Sequence, residues 1–176
     1  AELVVFNRMT PGADIMPFHK IARAVNRKID IMYEYTDGTS QFDEIIDPLP
    51  FDINAPVVKI EDGDYTLWYR DLSEDPKKYD GKVVEYKGLA AVNPRMKPGM
   101  FFFGRQLMTC CVEDIQFAGL LTLCDADKMP ENGKWYTMRL SVAYKWHKLY
   151  GRKGPVLTLQ NIEPAEAPAQ PVATFY

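Results

Sequence analysis

The sequence predicts a mainly β chain, α+β overall, built as a five-stranded OB-like barrel behind a helix-plus-hairpin region. Three observations predict it. Five strand-like segments crowd into the stretch from Gly81 to Pro164, a density that suits a small sandwich or barrel. Apolar side chains alternate with polar ones along them, the period of a half-buried strand. Glycines fall where a strand must bend, and closing the sheet removes the edges that five exposed strands would leave sticky.

Composition sets the outer bounds. The chain has 176 residues, 47% hydrophobic and 26% charged, which fits one globular domain with or without an appended lobe and excludes disorder. No apolar run approaches the roughly 20 residues of a membrane-spanning helix, so the chain as given is expected to be soluble.

The elements follow in order. Thr10-Pro11-Gly12 makes a turn, Asp14 suits an N-cap and Pro17 the first helical turn. Phe18, Ile21, Ala22, Val25 and Ile29 recur at helical spacing as an apolar stripe, beside a basic stripe of Lys20, Arg23 and Arg27. Residues 31–35 and 42–46 flank Asp37-Gly38, a hairpin signal. Asp47-Pro48-Leu49-Pro50 then breaks regular structure. A short strand at residues 57–60 precedes a helical stretch through Trp68 and Leu72, ending near Asp75-Pro76. The five barrel strands are expected at residues 82–92, 100–111, 117–124, 135–145 and 156–162. In the first, Val84, Tyr86 and Gly88 face one side. Residues 147–154 form a basic tip between the last two strands. The organisation is therefore a lead-in over residues 1–56, a connecting strand and helix over 57–80, the barrel over 81–164 and an extended Pro/Ala-rich tail over 165–176.

Charge separates the two halves. The formal net charge is −3, with −5 over residues 1–70 and +2 over residues 71–176. Three cysteines are too few for a disulfide scaffold. A hairpin centred near residue 115 would set Cys124 opposite Gln106, roughly 14–17 Å from Cys110 and Cys111 and beyond disulfide reach. All three thiols are expected to be free.

Candidate sites are few. Cys110 and Cys111, with Asp114, offer ligands for zinc or another soft metal if the chain turns at Val112. Adjacent strand residues point to opposite faces, however, which favours one packed thiol and one surface thiol, and no cofactor. Arg105 interrupts an apolar strand and is expected either to pair with Asp114 or Glu113, or to present its fork to an anionic ligand. Arg95 and Lys97 occupy one loop, and Trp146, His147, Lys148 and Arg152 the other. On an OB barrel these loops are expected to approach one another; a solvated hairpin tip is the expected reading, and binding of a polyanion, nucleic acid or anionic lipid is the alternative. The acidic pI of about 5.4 weighs against nucleic acid. Phosphate-loop, dinucleotide, zinc-protease and nucleophile-elbow motifs are missing from the sequence, so no enzyme activity is expected.

Residues 75–84 (Asp-Pro-Lys-Lys-Tyr-Asp-Gly-Lys-Val-Val), Gly88, Gly104-Arg105, Met108-Thr109-Cys110-Cys111, Asp114 and Gly119-Leu120 resemble the C-terminal domain of the YcgQ-like proteins. These are uncharacterised bacterial membrane proteins, many encoded beside a predicted permease. The likeness runs from Val57 to Tyr176, and family members also tend to end in a Pro-rich tail closing on aromatics, as Pro168 to Tyr176 does. It implies a place at the cell envelope, membrane-associated or extracytoplasmic, and a non-catalytic role supporting a permease, with the tail as a docking strand. A metal or redox module at Cys110/Cys111 and a polyanion binder are the alternatives.

Overall fold

A computed structural model of the chain describes residues 3–25, 29–44, 49–108 and 112–174. The described residues form ten strands in two sheets and two α-helices, a mainly β chain. It divides into two compact units, Ala1–Pro48 and Leu49–Tyr176.

The first unit runs β1 (Leu3–Met9), α1 (Met16–Val25), β2 (Asp30–Tyr35) and β3 (Ser40–Phe42). Parallel β1 and β2 are bridged by α1, and β3 returns antiparallel to β2 with Gly38 at φ +85° in the turn. Strand β1 is new relative to the sequence reading. Its alternation is blurred because Arg8 takes a positive φ of 57°, where the β1–β2 register slips between Phe6 and Met9. The inward face of α1 is the expected one in part. Ala22 and Ile29 are buried and Phe18 packs against the same core, whereas Ile21 and Val25 are exposed and His19 is buried. His19 Nδ1 lies 2.5 Å from Asp43 Oδ2, and this buried pair turns the helix so that a histidine, not an isoleucine, faces the core of Met9, Ile29, Ile31 and Tyr33. The expected basic stripe is partly spent: Arg23 donates to the Ile29 carbonyl at 2.9 Å.

The second unit opens with β4 (Val58–Lys59) and α2 (Tyr65–Glu74). α2 buries Tyr65, Thr66, Trp68 and Leu72, positions one turn apart on one face. Then come β5 (Val83–Ala91), β6 (Met100–Met108), β7 (Gln116–Leu123), β8 (Trp135–His147), β9 (Arg152–Pro164) and β10 (Val172–Thr174). The inward set of β5 is the expected one, with Val84, Tyr86, Gly88 and Ala90 buried. The sheet order is β10-β6-β7-β9-β8-β5-β4, and β5 pairs again with β6, so the pairings of β5, β6, β7, β9 and β8 return to their start. Only β7–β9 is parallel among these five pairings. Trp68, Tyr86, Phe101, Phe103, Met138, Leu140 and Leu157 fill the core.

Gly104 lets β6 approach β7. A Cβ there would lie 2.1 Å from the Ala118 carbonyl oxygen, well inside contact distance. Just past it β6 changes neighbours: it pairs with β5 as far as Gly104 and with β10 from Gln106. The tail thus ends on its own sheet. Pro168 is buried along the way, and the docking strand expected of the tail is engaged within the molecule.

Candidate functional site

The β6–β7 hairpin sets the positions of the thiols and of Arg105. Met100 pairs with Leu123 and Leu107 with Gln116, a register seven residues away from that of a turn centred at 115. Among the described residues β6 runs to Met108, and a short 3₁₀ turn over Val112–Asp114 precedes β7. Phe117, not Cys124, therefore faces Gln106, and the Cys124 N–H donates to the Gly99 carbonyl at 2.9 Å. Cys124 is free. Burial and the nearby carboxylates of Asp125 and Asp127 hold its thiol above its ordinary value. Cys110 and Cys111 lie outside the described residues, and no group of three or more metal-ligating side chains occurs among those described. Asp114 ends the 3₁₀ turn, half-buried.

Arg105 is buried, with only 1% of its surface exposed. Its guanidinium donates to the Asp62 carbonyl at 2.7 Å and to the Gln170 carbonyl at 2.5 Å. It stands 3.6 Å from the Asp62 carboxylate and against the rings of Tyr65 and Trp135. Asp62, rather than Asp114 or Glu113, is its acidic neighbour, because the turn before α2 folds over this part of β6. Burial lowers the Arg105 pKa from its ordinary value, and two carbonyls answer the charge. The fork ties the α2 turn and the tail to β6. Sequence reasoning missed both anchors, since Asp62 and Gln170 stand 43 and 65 residues away along the chain.

The two basic loops are anchored at different places along β7. Residues 93–99, with exposed Arg95 and Lys97, adjoin the Leu123 end of β7 through the Gly99–Cys124 bond. The β8–β9 tip adjoins the other end, since Leu121 pairs with Val156 and Arg152 precedes Val156 by four residues.

The tip is a shaped turn. Trp146 pairs with Lys153 and His147 with Arg152. The His147 carbonyl accepts from the Tyr150 and Gly151 N–H groups, each at 3.0 Å, His147 Nδ1 accepts from the Leu149 N–H at 3.2 Å, and Gly151 supplies a φ of +62°. Tyr150 folds back under the tip. Its hydroxyl accepts from the Leu121 N–H at 3.0 Å and donates to the Pro155 carbonyl at 2.9 Å, and burial raises its pKa. A cleft of about 320 Å³ opens beside it, lined by Tyr69, Leu72, Tyr144, Tyr150, Arg152 and Lys153 among others. Phenol rings walled by two cations suit an anionic group, and Tyr150, already spent on the backbone, contributes shape.

The family model for the DUF1980 C-terminal domain matches residues 37–173, more than three quarters of the chain. The chain belongs to that family. The DUF1980 C-terminal domain, a domain of unknown function, thus takes in the whole strand ring, Arg105, the β8–β9 tip and the start of β10. Among curated proteins none matches the chain.

Proposed function

We propose that the chain is a non-catalytic accessory module of the cell envelope that supports a membrane permease through protein contacts. The likeness of residues 57–176 to YcgQ-like proteins, many of them encoded beside a predicted permease, carries this reading; the family match assigns residues 37–173 to one domain of unknown function. The scaffold is a five-stranded OB-type barrel. The pairing order β5-β6-β7-β9-β8 and back to β5, with β7–β9 its only parallel pair, supports that assignment. Such a barrel presents its second and third strands and the connecting loops to a partner. With β10 seated on β6, those loops and the β8–β9 tip remain open for contact. Cross-linking the intact chain in native membranes and purifying it tests the reading. A polytopic transport protein recovered in comparable amount is the expected result. Recovery of no integral membrane protein would overturn it.

A further inference from the structure

The exposed apolar side chains of the Leu49–Tyr176 unit are not scattered. The four large ones that it leaves exposed among the described residues are Val112, Phe117, Trp146 and Leu149. Val112 and Phe117 belong to the link and first residues that feed β7; Trp146 and Leu149 belong to the tip that feeds β9. Because β7 and β9 are parallel, the two turns open on the same end of the sheet. Trp146 is 61% exposed and Leu149 52%, although Trp146 is paired near the end of β8 and Leu149 is bonded into the turn. Around them residues 145–154 carry Lys145, Lys148, Arg152 and Lys153, all exposed, and no Asp or Glu. The neighbouring turn contributes Glu113 and Asp114, both engaged in contacts of their own. This positive, aromatic end contrasts with the net −3 of the chain.

We propose that this end of the unit rests on an anionic lipid bilayer, with Trp146 and Leu149 in the interfacial layer and the four cations among the headgroups. Indole is the side chain best suited to that layer, where a ring needs both apolar and polar surroundings. Each Lys or Arg near an anionic surface strengthens the attachment, and the attraction fades beyond a Debye length, so the two components act only together at the surface. The turn geometry fixes the pair in advance: Trp146 stands opposite Lys153 in the register, so an inserted indole carries a cation beside it to phosphate depth. The inference stands on this end of the fold alone and holds whether or not a permease is the partner.

Co-sedimentation of the full chain with phosphatidylcholine vesicles, with and without phosphatidylglycerol, tests it without any permease present. Binding to the anionic vesicles alone is expected, with quenching of tryptophan fluorescence by brominated lipid and release on adding salt. Trp146→Ala with Leu149→Ala should abolish the quenching and weaken binding about tenfold. Lys148→Glu with Arg152→Glu, which leaves the apolar pair intact, should weaken it at least about tenfold. Circular dichroism checks that each variant folds, and the charge variant decides if the apolar one does not. Absent binding, equal binding to neutral vesicles, or binding that neither variant weakens would each overturn the proposal. So would attachment only to a detergent-solubilised membrane protein.

Discussion

A buried arginine costs desolvation, and Arg105 offsets it through two backbone carbonyls as well as the nearby Asp62 carboxylate. The Asp62 side chain is 41% exposed, so its charge is screened, whereas the carbonyls of Asp62 and Gln170 receive charge-assisted bonds from a guanidinium that is itself buried. Arg105→Met keeps most of the apolar stem and strands both acceptors. It should cost about 3 kcal/mol of unfolding free energy, read from the urea midpoint; a loss under about 1 kcal/mol would show that neither anchor matters. Arg105 was conspicuous in the sequence as a charge in an apolar strand, but its partners come from two distant segments and no local pattern names them. Cys124 makes a second test at this scale. Its raised pKa means less thiolate at neutral pH, and each unit of rise cuts the thiolate fraction about tenfold. In a Cys110→Ser/Cys111→Ser background, iodoacetamide should label Cys124 several-fold more slowly than glutathione at pH 7.5, with the gap narrowing as pH rises. Equal rates would contradict the burial and charge described here.

Among the elements, β10 has the largest consequence for its length. Three residues pair with Gln106, Leu107 and Met108, bury Ala173, supply the Thr174 carbonyl that accepts from Thr66 at 2.8 Å, and follow the Gln170 carbonyl held by Arg105. Ending the chain after Ala169 should therefore lower stability by about 2–4 kcal/mol and raise amide exchange at Gln106 to Met108 to the level of a free edge. An unchanged urea midpoint would show that the tail merely lies on the sheet. Elements of this kind were hard to read in advance. Long alternating segments such as β5 and β8 announce themselves, because their inward faces repeat every second residue. A three-residue strand after a Pro-rich run has no period to detect. β1 was hidden for the same reason, its pattern broken at Arg8, and the inward face of α1 is only partly the expected one: Phe18, Ala22 and Ile29 meet the core, but the buried His19–Asp43 pair stands where Ile21 and Val25 were expected. The tip residues were visible as aromatics interleaved with cations. Their alignment with Val112 and Phe117 was not, since it depends on β7 and β9 being parallel, a property of topology that no segment carries by itself.

At the scale of the molecule, the core of the Leu49–Tyr176 unit is unusually phenolic, and this makes its stability sensitive to alkali. Tyr65 and Tyr86 are buried and donate their hydroxyls to the carbonyls of Ala118 at 2.5 Å and Phe103 at 3.2 Å. The rings touch one another and Trp68. Burial pushes both pKa values well above the ordinary 10.0, and those of Tyr69 and Tyr150 rise from the same cause. A phenol whose pKa is higher in the folded than in the unfolded chain contributes its full stability below about 10. Above that pH the unfolded chain gains by releasing protons that the folded one keeps, so stability falls. The urea midpoint should be level up to about pH 9 and drop steeply beyond 10. Tyrosinate absorbance from these buried rings should appear together with the loss of near-ultraviolet dichroism rather than before it. Tyr65→Phe removes one such group and should flatten the alkaline slope even though it lowers stability at neutral pH by about 1 kcal/mol through the lost hydrogen bond. Tyrosinate growing in while near-ultraviolet dichroism persists would mean that the phenols meet water, and the packed centre that holds the strand ring and its α2 cover together would have to be abandoned.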